Sequence, residues 1–255
     1  MKITQIRNAT LIVEFGEHVL LVDPMLGPKG SGPPFTLFRY RPRRNPVVGL
    51  PTGIDAVLER VTHCLVTHLH PDHLDKAAVK WLKERGIPLT CSIKDAAKLR
   101  KRGLKVVGEI EYGKESDFLG GTIEGVEARH GYGFIAGPMG PVMGYFLRLP
   151  GEPSLYLSSD TIYTQEVHRV LTEYRPGVSV VAAGQARLDL FQPLLMRVED
   201  VIQFAKDAPG MVIANHLEAV NHCPVNRKGL RADFAEEGLA EKTWVPDDGS
   251  SREFG

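Results

Sequence analysis

The chain has 255 residues, 43% hydrophobic and 24% charged, enough for one large α/β domain or two small ones and too apolar for disorder to be the default. Its 31 Lys and Arg balance 31 Asp and Glu, so zero net charge gives nucleic acid and acidic membranes no whole-molecule attraction. Three widely spaced cysteines, Cys64, Cys91 and Cys223, argue against a disulfide framework and fit the cytoplasm, and no apolar run reaches the roughly 18 residues of a membrane span.

Alternation of apolar and polar residues from Met1 to Phe15 reads as strand rather than as a secretion signal. Strands are predicted at Lys2–Ile6, Thr10–Phe15 and His18–Val22, an antiparallel meander ending at Asp23-Pro24. From Met25 to Gly53 periodicity disappears. Pro and Gly dominate, Lys29, Arg39, Arg41, Arg43 and Arg44 supply positive charge, and no acid occurs between Asp23 and Asp55. Gly27–Gly32 within it lacks the spacing of a phosphate-binding Walker loop and reads as a flexible turn.

Strand and helix then alternate: strand Thr62–Val66, helix Asp75–Arg85, strand Ile87–Cys91, helix Lys94–Arg102 and strand Leu104–Val107, with Gly86 and Gly103 as helix stops. The second half follows the same order. Strands are predicted at Asp117–Ala128, Val142–Leu149 and Ser154–Ser158, a helix at Tyr163–Tyr174, and a strand at Val178–Ala182. Helix Val198–Ala208, strand Met211–Ala214, helix Arg227–Glu237 and strand Thr243–Val245 complete it, leaving a polar tail, Asp247–Gly255, expected to fray. Two similar halves without a linker imply a single domain over residues 1–255, sheets inside and helices outside.

Thr67-His68-Leu69-His70-Pro71-Asp72-His73 lies where an apolar strand gives way to a helix and packs four metal-binding side chains into six residues. Imidazoles and a carboxylate without cysteine suit an open catalytic site for zinc, manganese or iron rather than a closed structural zinc site. Four further residues stand at the ends of apolar strands: Asp23, His130, Asp160 and His216. Taken alone, Asp72 and Asp160 are also explicable as helix caps, and His130 as a structural histidine. His18, His63 and His168 read as ordinary structural or surface histidines.

His68-x-His70-x-Asp72-His73, followed in order by His130, Asp160 and His216, resembles the metallo-β-lactamase superfamily over nearly the whole chain. The resemblance implies a four-layer αβ/βα sandwich and two divalent ions, zinc foremost. His68, His70 and His130 would hold one ion, Asp72, His73 and His216 the other, with Asp160 between them. It assigns Asp23 to orienting the ligand loop and leaves His222, near His216, as a supporting residue or proton donor. A hydroxide shared by the ions would attack a small ester, lactone or phosphodiester, with Asp72 also carrying a proton.

His70 and Asp160 stand where the redox di-iron branch has glutamate and zinc β-lactamases have cysteine, which disfavours both branches. The narrower resemblance is to stand-alone bacterial hydrolases related to L-ascorbate-6-phosphate lactonase. Arg39, Arg41, Arg43 and Arg44 are candidates for binding an anionic substrate, and Phe134, Ile135, Met139, Leu188, Leu190 and Phe191 for apolar pocket walls. Competing readings are a non-catalytic metal-binding or interaction protein and a nuclease-type phosphodiesterase, the latter disfavoured by neutral charge. Homo-oligomerisation is left open.

Overall fold

The computed structural model describes residues 1–255. The first half comprises β1 (Lys2–Arg7), β2 (Thr10–Phe15), β3 (His18–Val22), α1 (Ile54–Leu58), β4 (His63–Val66), α2 (Lys76–Arg85), β5 (Pro88–Ser92), α3 (Ile93–Lys101) and β6 (Lys105–Ile110). The second comprises β7 (Glu115–Phe118), β8 (Gly121–Glu127), β9 (Met143–Arg148), β10 (Leu155–Leu157), α4 (Gln165–Arg169), β11 (Val178–Ala182), α5 (Val198–Asp207), β12 (Met211–Asn215), α6 (Arg227–Glu236), β13 (Thr243–Trp244) and β14 (Ser251–Glu253).

They form two seven-stranded sheets, β14-β1-β2-β3-β4-β5-β6 and β13-β12-β11-β10-β9-β8-β7. Period-two alternation splits each strand between two cores. Leu20, Val22 and Leu65 face Tyr145, Leu157 and Val180 between the sheets. Leu21, Cys64 and Val66 pack outward on Ala78, Leu82 and Leu99, while Phe146, Tyr156 and Val181 pack outward among Val167, Phe204 and Phe234. The order helix, sheet, sheet, helix is the α/β four-layer sandwich, the metallo-β-lactamase fold.

Strand direction places the chemistry. β3 to β6 run parallel, as do β10 to β13. β1 is antiparallel to β2 and β2 to β3, so β1 and β3 end on the same side; β8 and β10 share a direction because both oppose β9. Loops leaving β1, β3, β4, β8, β10 and β12 therefore gather at the C-terminal edge, where α/β sheets collect functional groups.

Several local expectations change. The single strand expected at Asp117–Ala128 is a hairpin, β7–β8, whose turn holds Leu119 and Gly120 at φ 47° and 81°. The expected helix Tyr163–Tyr174 begins later, at Gln165, and continues past α4 as a π turn over Val170–Tyr174. The tail does not fray over its whole length: Ser251–Glu253 pairs with β1, and the Phe254 amide donates to the Met1 carbonyl. Gly27–Gly32 is tied down, with Gly30 N donating to Pro46 O at 2.8 Å and Gly32 paired to Asn45. No helix is long and apolar enough to cross a membrane.

Candidate metal centre

The ligand segment is gripped from behind. Asp23, at the end of β3, accepts from Thr67 N at 2.8 Å and Thr67 Oγ1 at 2.7 Å. With its one proton given to Asp23, the Thr67 hydroxyl is left to accept from His68 Nδ1 at 3.0 Å. Asp23 also accepts from His73 Nδ1 at 2.8 Å, and Leu194 O accepts from His130 Nδ1 at 3.0 Å. Each contact holds one imidazole nitrogen as N–H, so that the ring, when neutral, presents Nε2 as a lone pair, the arrangement that orients metal-binding histidines.

Those lone pairs converge. Seven side chains form three overlapping sets, His68/His70/His130, His68/His73/Asp160 and Asp72/His73/His216, the ligand atoms of each lying within 4.8 Å of one another. His70 Nδ1 is 3.1 Å from His68 Nε2 and 3.2 Å from His130 Nε2. His216 Nε2 is 3.3 Å from Asp72 Oδ2. Asp160 stands between, Oδ2 being 3.5 Å from His130 Nε2 and 3.6 Å from His216 Nε2. Capping does not explain the carboxylates: Asp75, not Asp72, caps α2, and Thr164, not Asp160, caps α4.

The chemistry of this donor set fits cations. At metal–nitrogen distances of about 2.0–2.1 Å, two ligand atoms on a tetrahedral ion are roughly 3.3 Å apart, close to the imidazole separations seen here. His73 Nε2 and Asp160 Oδ1 are buried without hydrogen-bond partners although 3.2 Å apart, an expensive arrangement unless something binds both. Burial alone would lower the pKa of His73, but Asp160 and Asp23 raise it to about 10, so this pocket demands positive charge. Burial pushes His130 down to about 4 and also lowers His68, leaving neutral imidazoles.

Six non-glycine residues adjoining this edge, Asn8, Asp23, Ser159, Gln185, His216 and Glu218, have positive φ between 45° and 59°. Backbone strain of this kind concentrates at functional sites, where it re-aims a side chain at a strand end. Gly184 is required beside them, since a Cβ there would lie 2.1 Å from His216 O. His222 stands outside all three ligand sets, its ring 6.5 Å from that of His216 and edge-on to Phe35 at 4.9 Å.

Of the four arginines expected to bind an anion, two are taken up by backbone carbonyls and two are free. Arg39 donates to Leu188 O and Asp189 O, and Arg44 to Gly30 O and Ser31 O; Arg41 and Arg43 are exposed, without side-chain partners. Arg44 is captured locally because the segment folds on itself, and Arg39 by distant carbonyls because the segment also folds against Asp189, which accepts from the amides of Leu37, Phe38 and Arg39. Asn221 bonds Phe35 N, Thr36 O and Asn45, docking the segment beside His222. Of the expected apolar walls, Phe134, Ile135, Leu190 and Phe191 line a pocket of about 590 Å³, while Met139 and Leu188 pack beneath on Ile135, Ala186 and Leu194. A larger cleft, about 970 Å³, between the 27–46 segment and α2 includes none of the seven side chains.

Two residues at the centre escaped the sequence reading. Asn8 donates through Nδ2 to Asp72 O at 3.1 Å, reaches Asp72 Oδ2 at 3.5 Å and His216 Nε2 at 3.3 Å, and accepts from His216 N at 2.9 Å. The usable signal was topological: β1 and β3 must end on the same side. Cys223 Sγ lies 3.4 Å from His216 Nδ1. Arg7, fully buried, clasps the 25–53 segment at both ends through Gly27 O and Val48 O.

The beta-lactamase superfamily domain matches residues 18–216. Among curated relatives, UPF0173 protein YddR of Bacillus subtilis (strain 168) is 35% identical over 100% of both chains. A UPF0173 metal-dependent hydrolase of Cereibacter sphaeroides (strain ATCC 17029 / ATH 2.4.9) is 31% identical over 72% of this chain and 74% of its own. Among solved structures, an isothiocyanate hydrolase from Delia radicum gut bacteria is 30% identical with TM-score 0.90, covering 100% of this chain and 99% of that one. A possible metal-dependent hydrolase from Veillonella parvula DSM 2008 is 28% identical with TM-score 0.91, over 99% and 98%. The chain belongs to the beta-lactamase superfamily domain family and, within it, to the UPF0173 proteins, as a metal-dependent hydrolase.

Proposed function

We propose that the chain, as one domain, is a dinuclear hydrolase of a small ester, lactone or phosphodiester. The observation that carries this reading is Asp160 Oδ2, within 3.6 Å of both His130 and His216, which joins two ligand sets into one centre. Divalent ions held there, zinc foremost and manganese or iron as alternatives, would supply Lewis acidity and a hydroxide nucleophile near neutral pH. Asp23 fixes the imidazoles, and Asn8 holds Asp72 where it takes a proton from attacking water and returns it to the leaving group. His222, edge-on to Phe35 and outside the ligand sets, has a supporting role. The chain's three free cysteines support a reducing, cytoplasmic setting.

The similarity to an isothiocyanate hydrolase, with an apolar pocket lined by the residues that follow His130 in the chain, favours a second reading in which the electrophile is an isothiocyanate carbon. One experiment tests both. Metal analysis should find about two divalent ions per chain, removable by chelator. The zinc- or manganese-loaded protein should then hydrolyse a member of a panel of esters, lactones, phosphodiesters and benzyl isothiocyanate, and His68→Ala and Asp72→Ala should abolish that turnover. Turnover unaffected by both substitutions, or metal content near zero after reconstitution, overturns the metal mechanism.

A further inference from the structure

Arg187 is the arginine whose surroundings call for a ligand. Arg7 has a buried Nε without a partner but gives both of its terminal nitrogens to carbonyls, and Arg227 is paired with Glu218 and Asp248. Arg187 is half-buried, its Nε is buried without a partner, and its side chain makes neither a hydrogen bond nor an ion pair, although its amide donates to His222 O at 2.9 Å. A desolvated donor left unmade is unfavourable, so a bound acceptor is the natural complement.

Its position sets what that acceptor belongs to. Arg187 lines the 590 Å³ pocket together with Phe134, Ile135, Leu190 and Phe191. Phe134 and Phe191 meet edge-to-face at 5.4 Å, and Phe134 and Leu190 stand 74% and 78% exposed. The segment carrying Arg187 is tied down at both ends, at His222 O by the Arg187 amide and at the candidate ligand His130, whose Nδ1 donates to Leu194 O. The pocket is thus lined by the residues that follow His130 in the chain and by the segment tied to His130 and His222, and it offers an apolar body and one cation. A planar guanidinium matches a carboxylate bidentately, and a single positive charge balances a single negative one.

We infer that this pocket binds the non-reacting part of an aryl carboxylate substrate, its carboxylate on Arg187 and its ring against Phe134 and Phe191. The inference rests on the hydrolase reading for what happens at the centre, but its test is a binding measurement that needs no turnover.

The metal-loaded protein is titrated calorimetrically with 3-phenylpropanoate and with its neutral counterpart, 3-phenylpropan-1-ol. Arg187→Leu should weaken the carboxylate by about ten- to a hundredfold, as expected for losing a charge-assisted hydrogen bond, and leave the alcohol unchanged. Phe134→Ala, at an exposed position, should weaken both. A carboxylate affinity unmoved by Arg187→Leu means the anion sits on the ions or elsewhere, and overturns the proposal; so does indifference of both probes to Phe134→Ala. Thermal midpoints of the two variants guard against unfolding. Failure of the ester and isothiocyanate panel with probe binding intact would sink the hydrolase reading and spare this one.

Discussion

The two halves of the candidate metal centre are built from opposite electrostatics. Around His70 the donors are three imidazoles, and burial lowers the pKa of His68, His70 and His130, so this half presents neutral lone pairs. Around His73 burial acts in the same direction, yet Asp160 and Asp23 carry His73 to about 10, while Asp160, Cys223 and Asp72 raise His216. Asp72 and Asp160 in turn are held below the usual carboxylate range despite burial, by the histidines facing them. One half offers neutral donors; the other favours positive charge. Similar residue types therefore do different work, and the difference comes from where Asp23 and Asp160 lie.

Asp160→Asn breaks the comparison most severely, because an amide cannot compensate two cations. Both ions should be lost together and hydrolysis with them, as read by metal analysis of dialysed protein. His130→Ala should empty the imidazole half alone. Equal loss from both variants would mean the two halves do not bind independently, and loss of one ion from Asp160→Asn would mean the carboxylate does not bridge.

Asp72→Asn separates holding a cation from moving a proton. The imidazole half stays intact, so metal there should persist while turnover falls by about 10²-fold or more. Leaving groups of graded acidity sharpen this: the deficit should shrink as the leaving group becomes more acidic. A uniform deficit would leave Asp72 a positional role only.

Asn8→Ala tests the charged half more gently. Without its amide, Asp72 and His216 lose the contacts that hold them, and affinity for the ion on that half should fall by about 10–100-fold, as for other residues that orient ligands. The imidazole half should be indifferent. His222→Ala, outside every ligand set, should hold its metal content and lose little turnover; emptying of the charged half by His222→Ala but not by His216→Ala would exchange the two histidines.

Much of this was legible in the chain because it is local. His68 to His73 are contiguous, and their neighbours Thr67 and Asp75 carry the hydroxyl and the cap that a strand-to-helix junction needs. What escaped is non-local or conformationally rare. Asn8 joins the centre only because β1 ends beside β3, and Arg187 only because its segment closes between His222 and His130. Leu119 turns the β7–β8 hairpin at a positive φ that leucine seldom adopts, so the run read as one strand. Ser251, Arg252 and Glu253 look like a solvated tail because an edge strand is polar and charged by design. The arginines of the 25–53 segment read as candidate anion binders, whereas the carbonyls that take up Arg39 and Arg44, from Leu188 and from Gly30, depend on how the whole chain folds.

His63 gives the smallest effect and calibrates the rest. It is a buried histidine outside both halves, its Nε2 2.9 Å from Thr90 Oγ1 and its ring edge-on to Phe118 at 5.4 Å. Burial, with a contribution from His18, lowers its pKa from 6.5 to about 4. Between those values the unfolded chain binds the proton and the folded chain refuses it, so stability rises with pH across the window; it is fully present above 6.5 and drains away as pH falls toward 4. The loss between about pH 7.5 and pH 5 should be about 2 kcal/mol, read as a drop in urea-unfolding stability. His63→Gln should lack this component while retaining whatever acid sensitivity the metal centre contributes, since both proteins share that centre. If the two lose stability in parallel, His63 is already neutral in the unfolded chain's pH range or is solvated in the fold, and the acid response belongs wholly to the histidines of the centre.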